Sequence, residues 1–200
     1  REPEKAPEPR KPQAITAVPA APARTVSAPP ERPRTSKGTL LFVFDDAGHN
    51  LAQLEPFLNL PFPCTIAVLP RLQYSREAAR RVRAAGKELI LHQPMQAENL
   101  SYDPGPGAIT QGMGPDAIRS ILRVNLDEVG PVAGMNNHEG SLITADLDAM
   151  KAVLSVAEER GIYFLDSRTT AQTAAPEAAR QKHMKLWERA VCLDNIQERE

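Results

Sequence analysis

What this 200-residue chain lacks narrows its function before any motif is considered. It has only two cysteines, Cys64 and Cys192, without metal-type spacing, so no cysteine-based metal site is written into it, and spacing alone does not say whether the two pair. Its formal net charge of −1 offers no electrostatic footprint for nucleic acid or an anionic membrane surface. No apolar run approaches the roughly 20 residues of a membrane span. A Gly-rich phosphate loop is missing: Gly86-Lys87 is followed by Glu88, and no glycine stands five residues earlier. That excludes the P-loop nucleotide site which a hydrophobic strand ending in Asp-Asp could otherwise accompany. There is also no Gly-x-Ser-x-Gly nucleophile elbow, and neither cysteine has a catalytic partner pattern. An initiating methionine is absent too, which leads us to expect a fragment or processed form, in which any upstream signal peptide or anchor would lie outside this sequence.

Residues 1–37 lack Phe, Tyr and Trp, and hold about half of the 19 prolines among Ala, Glu, Arg and Lys. Such a segment cannot bury enough apolar surface to offset its ordering entropy. We read it as a disordered, Pro/Ala-rich linker leading to one domain over residues 38–200. In that domain the 42% apolar content of the chain supports a real core.

The domain alternates short buried strands with helices, a rhythm that indicates a parallel α/β sheet. Strands are expected at Thr39–Phe44, Cys64–Leu69, Glu88–His92, Val132–Met135, Ile162–Asp166 and Ala190–Leu193. Helices are expected from Leu51 to Leu60, Ser75 to Ala85 with Ser75 as N-cap, Pro115 to Val129, Asp146 to Arg160 and Ala174 to Lys182. Gly86 and Gly161 read as helix stops. A long stretch from Gln93 to Pro115, containing Pro104-Gly105-Pro106-Gly107, reads as an irregular loop of functional type.

Polar residues with metal or acid–base chemistry recur at the carboxyl ends of successive strands: Asp45 and Asp46, His92, His138, Asp166 and Asp194. A parallel α/β fold gathers those ends on one face, where ligands bind. One carboxylate and two imidazoles are a normal ligand set for a catalytic zinc with open positions. Neighbours on a regular strand point to opposite sides, so Asp45 and Asp46 need a local turn to reach one site together. A plainer alternative has the two acids capping the following helix. His49 and His183 lack the strand-end placement and read as loop or surface residues, with His49 a minor reserve.

From Gly38 to Asn195 the chain resembles the divergent polysaccharide deacetylases, relatives of the NodB-type carbohydrate esterases. The resemblance is carried, in order, by Phe44-Asp45-Asp46-Ala47-Gly48, Ala67-Val68-Leu69-Pro70, Leu91-His92-Gln93-Pro94-Met95, Pro104-Gly105-Pro106-Gly107-Ala108, Asn136-Asn137-His138-Glu139-Gly140-Ser141, Leu165-Asp166-Ser167-Arg168-Thr169 and Leu193-Asp194-Asn195. It implies a distorted (β/α) barrel, here incomplete at its C-terminus, with a divalent metal such as Zn2+ at the strand ends. It further implies hydrolysis of N-acetyl groups on a cell-envelope or peptidoglycan-type polysaccharide in the periplasm or envelope. Carried over by residue, Asp45 matches the catalytic base, Asp46 the metal-binding acid and His92 the first metal histidine. The second histidine of that motif would fall near Gln96, where none stands, and His138 is the expected replacement. Asn137 or a nearby backbone N–H is the expected oxyanion donor, and Asp166, Arg168 and Asp194 are secondary candidates. Glu139 stands where the divergent branch tends to have Met. The family barrel has a further strand and helix, so the expectation is that the gene product continues past Glu200 or that this fragment is less stable than a complete domain. NodB-type enzymes draw a general acid from a late histidine that has no counterpart before Glu200. A non-catalytic envelope protein that keeps the fold and binds glycan or a protein partner is therefore the competing expectation.

Overall fold

A computed structural model describes residues 38–193. The expected linker at 1–37 and the candidate Asp194 lie outside the described residues. The elements run β1 (Val43–Ala47), α1 (Leu51–Leu58), β2 (Thr65–Val68), α2 (Ser75–Ala84), β3 (Glu88–Met95), α3 (Pro115–Val129), β4 (Gly134–Glu139), α4 (Ser141–Thr144), α5 (Leu147–Arg160), β5 (Tyr163–Asp166), α6 (Ala175–Gln181) and β6 (Leu186–Glu188). All six strands are parallel and pair in sequential order from β1 to β6. Parallel crossovers are right-handed in nearly all proteins, and in sequential strand order such crossovers put the helices on one face and let the other curl inward, as in barrel-like α/β proteins. Among the described residues the sheet is not closed, and β1 and β6 form its two edges.

Strand alternation divides the sheet cleanly. Leu91, Met135 and Phe164 stand in register on β3, β4 and β5, all fully buried in the core shared with the helices. That core takes Ala78, Ala79 and Val82 from α2, Leu122 from α3 and Val153, Val156 and Ala157 from α5. The small alanines of α2 let its backbone approach the sheet. One residue further along, His92, Asn136 and Leu165 form the next row, on the helix-free face. At the amino end of that face the Tyr163 ring lies across Gly134, where a Cβ would meet it at 2.5 Å, so only glycine fits there. The Tyr163 hydroxyl donates to Glu88 Oε1 at 2.7 Å, and burial pushes this phenol above its ordinary pKa.

Several local expectations are corrected. The sixth strand is Leu186–Glu188 rather than Ala190–Leu193, its register set by Phe164, Leu165 and Asp166 of β5. Arg189 N–H donates to the Asp166 carbonyl at 2.9 Å and ends the pairing before the more apolar run begins. Ser75 is the first residue of α2, not its N-cap: its buried hydroxyl donates to the Leu69 carbonyl and accepts from Leu72 N–H. β3 runs on through Gln93, Pro94 and Met95, and β4 through Glu139, so each carries its functional histidine inside the strand.

Gln93 shows what the helix-side face does with its polar residues. It is fully buried, donates to the Pro94 and Gly107 carbonyls, and accepts from Asn125 of α3 at 2.8 Å. Asn125 also donates to the Gly107 carbonyl and accepts from Arg71 Nε, so one amide network pins the Pro-Gly loop to α3 and β3. A Cβ at Gly107, whose φ is +78°, would stand 2.9 Å from Asn125 Oδ1.

Candidate metal centre

The carboxyl end of β1 decides whether the two aspartates can cooperate. The β1–β2 register shifts between Phe44 and Ala47, and Asp46 adopts φ +63°. Aspartate is among the side chains that tolerate this left-handed region. On a regular strand Asp46 would share the side of Phe44, whose ring packs on Phe57 of α1. The turn instead brings it to the site beside Asp45. Neither acid caps α1: that role falls to Asn50, whose Oδ1 accepts from Ala52 N–H.

Asp46, His92 and His138 converge. Asp46 Oδ1 lies 3.1 Å from His92 Nε2 and 3.0 Å from His138 Nδ1, and the two imidazole nitrogens are 3.1 Å apart. The two rings meet edge to face with centroids 4.9 Å apart. Nitrogen and oxygen ligands on one zinc at about 2.0–2.1 Å stand roughly 2.9–3.4 Å from each other in octahedral to tetrahedral arrangements. The observed triangle falls in that range, so these donors fit a divalent ion. His92 is 3% exposed, whereas the Asp46 side chain is 60% exposed, so the triangle is anchored in the protein and open on the Asp46 side.

The tautomer of His92 is set by Asn136. The Asn136 Nδ2 group donates to Asp45 Oδ1 at 2.8 Å and reaches Ser167 Oγ at 3.3 Å, which turns its Oδ1 toward His92 Nδ1 at 2.8 Å. His92 Nδ1 therefore carries a hydrogen, and Nε2 is the atom that faces the triangle, its lone pair open to a metal once the hydrogen it shares with Asp46 has left. Asn136 thus links Asp45 to the triad, a role sequence reasoning missed. The available signal was parity: Asn136 lies two residues before His138 on one strand and shares its face.

Asn137, on the opposite side, is occupied elsewhere. Its Oδ1 accepts from Ser167 N–H at 2.8 Å, and its Nδ2 donates to the Glu139 carbonyl at 2.7 Å and reaches Thr169 Oγ1 at 3.4 Å. Asp166 is fully buried and builds the loop after β5, accepting from Arg168 N–H and the Thr173 hydroxyl. Arg168 pairs with Glu188 of β6 at 2.9 Å. Gln96 turns away, its Oε1 accepting from Gln111 N–H. His49 is exposed, and neither it nor His183 joins the cluster.

Hydrogen bonds from His138 and His92 hold the Asp46 carboxyl far below the usual carboxylate range. For His92, burial is the strongest single influence and opposes charge. The Asp46 hydrogen bond, the charges of Asp45 and Asp46 and the Asn136 contact together outweigh it, and the net direction is upward. In the metal-free protein the Asp46 contribution to stability is complete above its ordinary value of 3.8 and fades as pH falls below it. The His92 contribution is complete below 6.5 and is lost as pH rises through the raised folded value. The cluster therefore stabilises the metal-free fold most between these two limits. Zinc needs both imidazoles unprotonated. The rise in Tm on adding zinc should accordingly grow steadily from about pH 5 to 8. A zinc-induced shift that stays constant across that range, in paired thermal melts, would contradict this account.

The family model described as divergent polysaccharide deacetylase matches residues 42–200. The chain belongs to that family. This divergent polysaccharide deacetylase homologue is 35% identical over 161 residues to YibQ, an uncharacterized protein of Escherichia coli K12, covering 80% of the chain and 50% of the relative. An uncharacterized Haemophilus influenzae protein is 27% identical over 163 residues, 82% of the chain and 58% of the relative. The chain thus spans only about half the length of the curated relatives it matches. Among solved structures, an uncharacterized Agrobacterium tumefaciens protein superposes with TM-score 0.69 at 21% identity, covering 78% of this chain and 64% of that one. A putative cellobiose-phosphate cleavage protein of Enterococcus faecalis superposes with TM-score 0.51 at 10% identity, covering 73% and 65%. At these identities the two structures share the fold of the divergent polysaccharide deacetylase domain and nothing more is carried across.

Proposed function

We propose that this domain is a metal-dependent hydrolase that removes N-acetyl groups from a cell-envelope polysaccharide. The observation that carries the reading is the triangle of Asp46, His92 and His138 with Asp45 joined to it through Asn136. Asp46, His92 and His138 would hold a divalent ion, zinc being the best match to two imidazoles and a carboxylate. That ion supplies Lewis-acid polarisation of the acetyl carbonyl and lowers the pKa of a water.

The protein's own groups do the rest. Asp45 takes the proton of the attacking water and returns it to the departing nitrogen, so that acetate and a free amine leave. Asn136 holds Asp45 and His92 in place through its two amide ends. Asn137 acts as a strut for the strand ends rather than as an oxyanion donor, which leaves a backbone N–H for that role. Family membership supports a glycan substrate, taken here as peptidoglycan-type, and an envelope location. The Pro-rich composition of residues 1–37 suits such a location. No helix among the described residues is long and apolar enough to cross a membrane.

One observation favours a rival, an envelope protein that binds glycan or a protein without catalysis. Gln96, where the NodB-type motif has its second histidine, faces Gln111 and not the site. Acetate release from N-acetylglucosamine oligomers separates the two readings. The zinc-loaded domain should release acetate, and a chelator should stop it until zinc is restored. Stoichiometric zinc with no acetate from any N-acetylated glycan oligomer would move the assignment to the rival.

A further inference from the structure

The row of side chains that begins at His92 continues past the triad. His92 of β3, Asn136 of β4 and Leu165 of β5 stand in register, and the partner of Leu165 on β6 is Trp187. Register partners in a parallel sheet share a face, so the indole belongs to the same helix-free face as the site. Exposure grows along the row: His92 and Asn136 are buried, Leu165 is partly buried, and Trp187 is 44% exposed. The site face therefore opens toward the β6 edge. Neighbouring strands are about 4.8 Å apart, which puts Trp187 roughly 10 Å from Asn136 along the sheet.

The indole does not stand there alone. Lys185, two residues earlier and on the same face by strand alternation, places its Nζ 3.7 Å from the centre of the Trp187 ring. Among the described residues no carboxylate pairs with this ammonium. Glu188, the acid of the same strand, belongs to the other face and is paired with Arg168. The edge thus offers an aromatic surface and an unneutralised cation side by side. Aromatic surfaces pack against the apolar C–H faces of sugar rings, and a nearby cation favours a sugar that carries a carboxylate.

We propose that Trp187 and Lys185 form a glycan-binding platform beside the triad. The indole takes a ring further along the chain from the one that loses its acetyl group, and Lys185 takes a carboxylate carried by that chain. This rests on the glycan reading of the site and narrows it to acidic, oligomeric glycans. A single N-acetyl sugar at the triad does not span the distance to the indole.

Trp187 is the single tryptophan of the chain, so its emission reports the platform directly. The metal-free chain is titrated with an alternating N-acetylglucosamine–N-acetylmuramic acid tetrasaccharide and with the neutral N-acetylglucosamine tetramer. Both should change the emission saturably, and the acidic one should bind about fivefold more tightly. By calorimetry, Trp187→Ala should weaken both about tenfold, while Trp187→Phe stays within about threefold of wild type. Lys185→Met should remove the preference for the acidic oligomer and leave the neutral one within about twofold. Unchanged emission at millimolar oligomer, Trp187→Ala affinities within twofold of wild type, or equal binding of the two oligomers by the unaltered chain would each overturn the proposal. The first of these would leave Lys185 and Trp187 as a guard on an edge strand. Acetate release by the zinc-loaded chain is scored separately. Release without an emission change strikes the platform alone, and an emission change without release strikes the hydrolase reading alone.

Discussion

Replacing both His92 and His138 by alanine should abolish stoichiometric zinc binding. Loss of an outer hydrogen-bonding partner alone typically costs about 10–100-fold in metal affinity. The double variant removes two of three ligands, so a loss of at least about 1,000-fold is expected on that scale. The folded state should survive. His138 is partly exposed, and its removal opens no closed cavity. His92 is buried, and its loss strands Asn136 Oδ1, which costs on the order of 1–3 kcal/mol. Elemental analysis after dialysis, alongside circular dichroism to confirm folding, reads the result directly. One equivalent of zinc retained by a folded double variant would show that the ion sits elsewhere.

The second large effect concerns Asp45. Asp45→Asn keeps the size of the side chain, and its carbonyl oxygen can still accept from Asn136 Nδ2. It cannot take a proton from water. Loss of a general base lowers rates by about 10²–10⁴-fold. The zinc-loaded variant should therefore release acetate at or below about a hundredth of the wild-type rate, with zinc affinity changed by less than about threefold. Comparison of acetate release with a zinc titration separates the proton-transfer role from metal holding. If Asp45→Asn keeps more than a tenth of the activity, the base is another group. If it loses zinc in parallel, Asp45 belongs to the ligand shell.

Much of this was legible in the sequence because strand ends announce themselves. Apolar runs that stop at Asp45-Asp46, at His92 and near His138 mark where a parallel sheet presents its side chains. The three residues expected to meet do meet. The local turn that lets two adjacent aspartates share one site was anticipated as a requirement of strand alternation. Its form, a register shift with Asp46 in a left-handed conformation, leaves no composition signal. The sixth strand was misplaced because hydrophobicity ranks Ala190–Leu193 above Leu186–Glu188. A short edge strand with a single partly buried residue, Leu186, is fixed by its ladder partners, here β5, more than by its own apolar content. Asn136 and Asn137 look alike in sequence, and only strand parity gives one to the site and the other to the scaffold.

That parity has a mechanical consequence on β3. His92 and Gln93 are joined by one peptide and face opposite sides of the sheet. The first reaches the triad, and the second is bolted to α3 and the Pro-Gly loop through Asn125 and Gly107. The strand is a lever with both arms anchored. A displacement of α3 or of the loop would therefore act on the same peptide that carries the imidazole.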